Sequence, residues 1–342
     1  MTGNENYIQL TSAEIACIWS EYMNDTMSTC ILGYFLSHVK DNEIKSVIQF
    51  AYDISTTRIG KLSEIFNNEK IPLPIGFTNK DVNINAPRLY TDPFMLQYLA
   101  HMAKVGLLAY SAFVSMGARK DIKTFFTTGL QETSDLFVKS TDVLLEKGLY
   151  IRAPYIAYPM NSTMVETNKY LSGFSFFSKQ RPLNAIEISH LYMNILTNQI
   201  GSKLALSFAQ ISPNSDVQTW MLRGKDISNK HAKIFSSSLI DNDTQAPSSS
   251  DVCITDSTTP PFSDKLTMFH MSLLSAAGSG NYATSASASQ RSDLIVNYER
   301  LSLEVAQYAK DGADIMIKNE WMEHPPTTLD KEKLAKDKNF SN

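Results

Sequence analysis

Leu10-Thr-Ser-Ala-Glu14-Ile15 near the start of the chain returns as Leu183-Asn-Ala-Ile-Glu187-Ile188 in its middle, and this recurrence decides the fold. Working outward, Asp53-Ile54-Ser55 returns as Asp226-Ile227-Ser228, and Asp81-Val82-Asn-Ile84 as Asp251-Val252-Cys-Ile254. Gly106, Tyr110, Arg119, Asp121 and Glu132 have counterparts in Gly278, Tyr282, Arg291, Asp293 and Glu304, and Pro154 in Pro326. The offset stays between 170 (81 to 251) and 173 (10 to 183) over residues 10–154 and 183–326. A register held that long marks a tandem of one unit.

Each unit reads as four long helices. Apolar residues recur at helical spacing, as in Ile15, Ile18, Trp19, Tyr22 and Met23. The expected spans are 11–39, 42–67, 92–117 and 119–148, then 184–211, 214–240, 263–288 and 290–319. Short breaks at Asp41-Asn42 and Pro213-Asn214-Ser215 make the first two helices of each unit an antiparallel hairpin. Residues 68–91 and 241–262, punctuated by prolines, are long for connections within a compact domain. A four-helix bundle with one long crossover uses such a segment to travel the length of the bundle, which is ferritin-like connectivity. The expected fold is therefore all-α: two tandem ferritin-like four-helix bundles, 1–148 and 183–328. A packed, aromatic and Pro-rich strap, 149–182, joins them, with a Phe174-Ser-Phe176-Phe177 cluster, and a charged tail follows at 329–342.

Composition narrows the function classes. At 342 residues, 43% hydrophobic and 19% charged, the chain has the balance of a soluble globular protein. Its net charge of −4, without a basic stripe, argues against nucleic acid as the main partner. No run of about 18 apolar residues is present, so no membrane span is expected, and Met1 to Gln9 has no signal-peptide character. Cys17 and Cys30 fall about 20 Å apart along one helix, too far to bridge. Reduced thiols, Cys253 included, and a cytoplasmic location follow as expectations.

Several stretches carry a family resemblance: Glu187-Ile-Ser-His190-Leu, Pro260-Pro-Phe-Ser-Asp264-Lys265, Phe269-His270 and Ala306-Gln-Tyr308-Ala-Lys-Asp311-Gly312. Ile71-Pro-Leu-Pro-Ile-Gly-Phe77 and Glu146-Lys-Gly-Leu-Tyr-Ile-Arg152 add to it. Over about residues 8–335 the chain resembles a tandem domain-of-unknown-function family of spore-forming bacilli, distantly similar to spore-coat protein F. The resemblance implies a ferritin-like fold, a link to sporulation and no established activity. That family usually has a histidine where this chain has Arg58, while His231 keeps it in the second unit.

A ferritin-like di-iron site needs a Glu from each of two helices and Glu-x-x-His from each of the other two. Residues i and i+3 share a helix face, so carboxylate and imidazole reach the axis together. Only Glu187-x-x-His190 has that form; the first unit has Glu14-x-x-Cys17, and Glu132 and Glu304 are followed three residues later by Asp135 and Gln307. A full di-iron set is missing from both units. A smaller site for one Fe or Zn ion would use Glu187, His190 and His231, since the two histidines lie 22 residues before and 19 after the turn near 212. The competing account makes each a satisfied hydrogen-bonding group. In the first unit, Arg58 beside Glu14 would replace the metal with an ion pair. Asp53/Asp226 and Glu132/Glu304 read as acid–base groups or, more simply, as local structural pairs, and His270 as a core residue.

Three functions compete. The first is a non-catalytic structural or interaction protein with no cofactor, whose partners are proteins or further copies of itself; it expects no buried polar cluster at the bundle midpoint. The second is a metal-binding protein or degenerate oxidase with one site, in the second bundle. The third is a carrier of an apolar ligand held between helices or bundles, supported by the aromatic strap.

Overall fold

The computed structural model describes residues 8–173, 180–248 and 253–336. The Phe174–Phe177 cluster and the Asp251-Val252 copy of the repeat motif lie outside them. Helices make up 70% of the described residues, with no strands beyond isolated bridges. The first unit holds α1 (Ser12–His38), α2 (Asn42–Glu69), α3 (Asp92–Met116) and α4 (Lys120–Glu146). The second holds α5 (Ala185–Ile211), α6 (Ser215–Ile240), α7 (Asp264–Ala288) and α8 (Ser292–Lys318), and a short α9 (Lys331–Lys336) lies in the tail. Each boundary falls within a few residues of its expected position, because caps and prolines set the ends.

Capping chemistry also sets the topology. Thr11 and Asn184 open α1 and α5 with a capping box: each side chain accepts from the backbone N–H of Glu14 or Glu187, whose carboxylate accepts in return from the cap N–H. The second oxygen of the same carboxylate reaches further. Glu14 Oε1 accepts from Ala118 N (3.0 Å) and Arg119 N (2.7 Å), and Glu187 Oε1 from Gln290 N (3.2 Å) and Arg291 N (3.0 Å). The start of the first helix of each unit is thereby fastened to the turn between its third and fourth. At the other end, Asp92 accepts from Lys40 N and Asp41 N, so α3 begins where α2 begins and the two run parallel. Asp264 plays this part in the second unit by accepting from Ser212 Oγ (2.7 Å). Two hairpins joined by one long crossover is the connectivity expected from the sequence.

The crossovers do more than span their bundles. Asn83 N donates to Pro261 O, Ser263 N to Asp81 O, Thr255 N to Leu89 O and Thr91 N to Cys253 O, at 2.8–3.1 Å. The pairing is antiparallel, through the bridges Val82↔Phe262 and Tyr90↔Ile254. Irregular backbone buried at a contact must find partners for its N–H and C=O groups, and here each crossover supplies them to the other. Around this seam a single core draws on both units, with Tyr34, Phe35 and Tyr90 packed among Phe208, Phe262 and Leu266. Each unit keeps a smaller core at its far end, around Ile18, Phe66 and Phe126 in the first and Leu191, Phe235 and Tyr298 in the second.

The strap packs at its two ends, with Tyr170 donating to Gln290 and Gly173 N to Ser292 Oγ near the second bundle, and departs from expectation between them. Its first residues, Leu149 and Ile151, lie against the helices, but Tyr155, Tyr158 and Met160 are 86%, 93% and 94% exposed. Pro154 and Pro159 hold the chain extended and withhold N–H donors, and the seam of crossovers already joins the bundles. α3 is long and apolar enough to cross a bilayer by length and composition, yet its Phe94, Met95, Leu96 and Leu99 are buried in the shared core. The three cysteines are buried thiols with no disulfide between them.

Candidate functional site

The structure gives the residues of the metal reading separate partners. Glu187 is fully buried, but its carboxylate is spoken for by the capping box, by the α7–α8 turn and by Arg181 at 2.7 and 2.9 Å. Burial would raise its pKa, but Arg181 and the amide donors hold it below the usual glutamate value. His190 Nδ1 meets Ser285 Oγ at 3.2 Å, whereas His231 meets Tyr282 one turn earlier on α7 and Glu304 on α8. Among the described residues, no three His, Cys, Asp or Glu side chains are grouped so as to hold a metal ion. Arg58 is buried, as the ion-pair reading requires, but its carboxylate partners are Glu21 and Glu132 and not Glu14.

Both bundles contain a buried polar cluster at midlength, contrary to what the purely structural reading expects. In the second, His231 Nε2 lies 2.9 Å from Glu304 Oε2 and Nδ1 lies 2.9 Å from the Tyr282 hydroxyl. Burial, only partly offset by Glu304, lowers the His231 pKa, so the ring is neutral at neutral pH. With Glu304 ionised, Nε2 donates to it, Nδ1 accepts the Tyr282 proton, and the Tyr282 oxygen accepts from Asn198 Nδ2 at 2.8 Å. One chain of hydrogen bonds thus ties α8, α6, α7 and α5.

The first bundle uses the matching positions with different chemistry. Arg58 replaces His231, Glu21 and Asp25 replace Asn194 and Asn198, while Tyr110 and Glu132 match Tyr282 and Glu304. Arg58 Nε donates to Glu132 at 3.0 Å, Nη2 donates to Gly129 O and Thr133 Oγ1, and Nη1 stands 3.7 Å from Glu21. Its guanidinium also lies 4.6 Å from the centre of the Tyr110 ring, whose hydroxyl donates to Glu21. Asp25 is 1% exposed; burial and the neighbouring Glu21 push its carboxyl well above the usual aspartate range. Glu21, Asp25, Asn194 and Asn198 escape a search for Glu-x-x-His, although each is a polar residue at a core position of α1 or α5 and the two copies show it in register.

A cavity of about 440 Å³ opens between the bundles, bounded by α3, α4, the first residues of the strap and α5. Ala100, Leu144, Leu149, Ile151, Met193 and Leu196 form its apolar wall. Its charged and titratable groups are His101, Lys104, His190, Lys203, Tyr150 and Tyr192, and no Asp or Glu among the described residues lines it. Lys104 Nζ meets only Thr197 Oγ1, at 3.4 Å, and has no carboxylate partner among the described residues. Burial lowers its ammonium to about 8. Lys203 donates to Cys253 Sγ at 3.2 Å. The residues that line the cavity are not repeated across the pseudo-symmetric chain. The counterparts of Lys104 and Leu149 are Ala276 and Trp321, so the lysine is lost and the leucine becomes a bulkier ring.

Comparison with known proteins bears on this arrangement. The family model for proteins of unknown function DUF3231 matches residues 1–161 and again 172–334. The chain belongs to the DUF3231 family. The two matched segments are the two units of the duplication, so this DUF3231 protein carries the family's pattern twice. Among solved structures, a candidate spore coat protein from Bacillus halodurans is similar at 18% identity, over 46% of this chain and 98% of that one, with a TM-score of 0.37. No curated protein matches.

The donor sets of this DUF3231 protein do not fit the di-iron centre that ferritin-like connectivity brings to mind. At midlength of the second bundle His231 and Glu304 are bonded to each other. In the first, the Arg58 guanidinium supplies positive charge among Glu21, Asp25 and Glu132. Asp25 makes that balance testable. A carboxyl whose folded pKa is raised stabilises the fold only while protonated, so its contribution falls as pH rises from about the unfolded value of 3.8 through the raised one. Asp25→Asn, which installs the residue of the second bundle, is expected to stabilise the protein by about 1–3 kcal/mol at neutral pH. The gain should vanish near pH 4. Urea unfolding at both pH values measures it.

Proposed function

We propose that this protein is a non-catalytic binding protein whose ligand, an apolar small molecule, occupies the cavity between the bundles. The observation that carries the reading is the cavity itself. Its volume falls within the roughly 300–1,000 Å³ of small-molecule pockets, and its wall is mostly apolar with few polar groups, as such sites require. The polar clusters at midbundle fit structural ties between helices. His190 borders this cavity.

Titration of the full chain with an environment-sensitive apolar fluorophore tests the proposal. Leu196→Trp, which pushes an indole into the cavity, is expected to weaken binding at least about tenfold, since displaced ligand atoms lose their apolar contacts. Circular dichroism should stay unchanged. Undiminished binding in that variant would place the ligand elsewhere.

A further inference from the structure

We infer that the cavity selects a single-chain carboxylic acid, its carboxylate on Lys104 and its hydrocarbon chain against the wall formed by Leu144, Leu149, Ile151, Met193 and Leu196. The inference rests on the binding reading above and names the ligand class. Charge complementarity carries it. The chain as a whole is acidic, at −4, yet among the described residues the lining of this one cavity carries Lys104 and two histidines, with Lys203 bonded to Cys253, and no carboxylate. Surface lysines find water or exposed acids. Lys104 stands half-buried on the inter-bundle face of α3 with only a long contact to a threonine hydroxyl. A buried ammonium without an anion is costly, and a ligand bringing one carboxylate removes that cost while its tail fills the apolar space. The position is particular to this face, since the matching residue of the second unit is Ala276. A neutral apolar ligand would leave Lys104 as it is, and a cationic one would be repelled.

The test compares dodecanoate, dodecanol and dodecylammonium as competitors of a bound fluorophore on the full chain at neutral pH. Dodecanoate is expected to bind at least about tenfold more tightly than dodecanol, the effect of one charge-assisted hydrogen bond, and dodecylammonium more weakly than either. Lys104→Met should erase the preference for dodecanoate and leave dodecanol within about twofold, while Lys104→Arg should keep it. The ligand series on the unaltered chain stands even if a variant fails to fold. Equal binding of dodecanoate and dodecanol overturns the carboxylate assignment but leaves the cavity a binding site. A retained preference in Lys104→Met overturns Lys104 as its source. If no ligand displaces the fluorophore from the unaltered chain, the binding reading fails as well.

Discussion

Replacing Glu187 by alanine is expected to cost about 3–5 kcal/mol of unfolding free energy, the largest effect of any single substitution in the second unit. This one carboxylate closes the α5 capping box, accepts from the two amides that open α8, and neutralises Arg181, which itself lies 4.0 Å over the Tyr170 ring. Alanine would leave a partly buried guanidinium and three amides without their acceptor. Glutamine keeps the shape, loses the charge and should fall between. The sign of the pH dependence follows from the depressed pKa: the stabilisation is present above the unfolded value of 4.5 and is lost as pH falls through the folded one. The gap between wild type and Glu187→Ala in urea unfolding should therefore narrow in acid. A gap that widened in acid would mean that Glu187 is not held as an ion.

Arg58→Met is expected to be comparably damaging, about 3–5 kcal/mol, for a different reason. Methionine fills the space but leaves Glu21 buried without a cation, beside Asp25 and Glu132. Coupling distinguishes this from lost packing. Adding Glu21→Gln should recover part of the loss, because the charge that Arg58 balances is then gone, whereas a packing defect would simply add to any cost of the second change. Losses that add would sink the charge-balance account.

Much of the architecture is legible in the residues. Eight helical segments, their short turns and the duplication all rest on local signals, namely periodicity, prolines and a constant offset. The roles of the carboxylates are harder to read. Thr11-x-x-Glu14 has the form of a capping signature, yet the same Glu187-x-x-His190 spacing also has the form of a metal half-site, and both put the carboxylate inside. Only the position of the α7–α8 turn, far away in sequence, decides between them. Arg58 illustrates the same difficulty: its identity shows that a charge enters the bundle, while its choice of Glu21 over Glu14 depends on helix rotation. The cavity has no local signature at all. It exists because α3, α4 and α5 come from different units, and Lys104 on the apolar α3 looks like an exposed residue until the neighbouring bundle covers it.

The seam of paired crossovers has a consequence for symmetry. Two units joined this way have the arrangement of a homodimer fused into one polypeptide. In a true homodimer of identical units every substitution is made twice, and a change useful on one side must be tolerated on the other. Fusion lifts that constraint. Arg58 can differ from His231, Lys104 from Ala276 and Leu149 from Trp321, each refined for its own surroundings. The fused chain is free to keep Ala276 and Trp321 in one half while Lys104 and Leu149 line the cavity in the other.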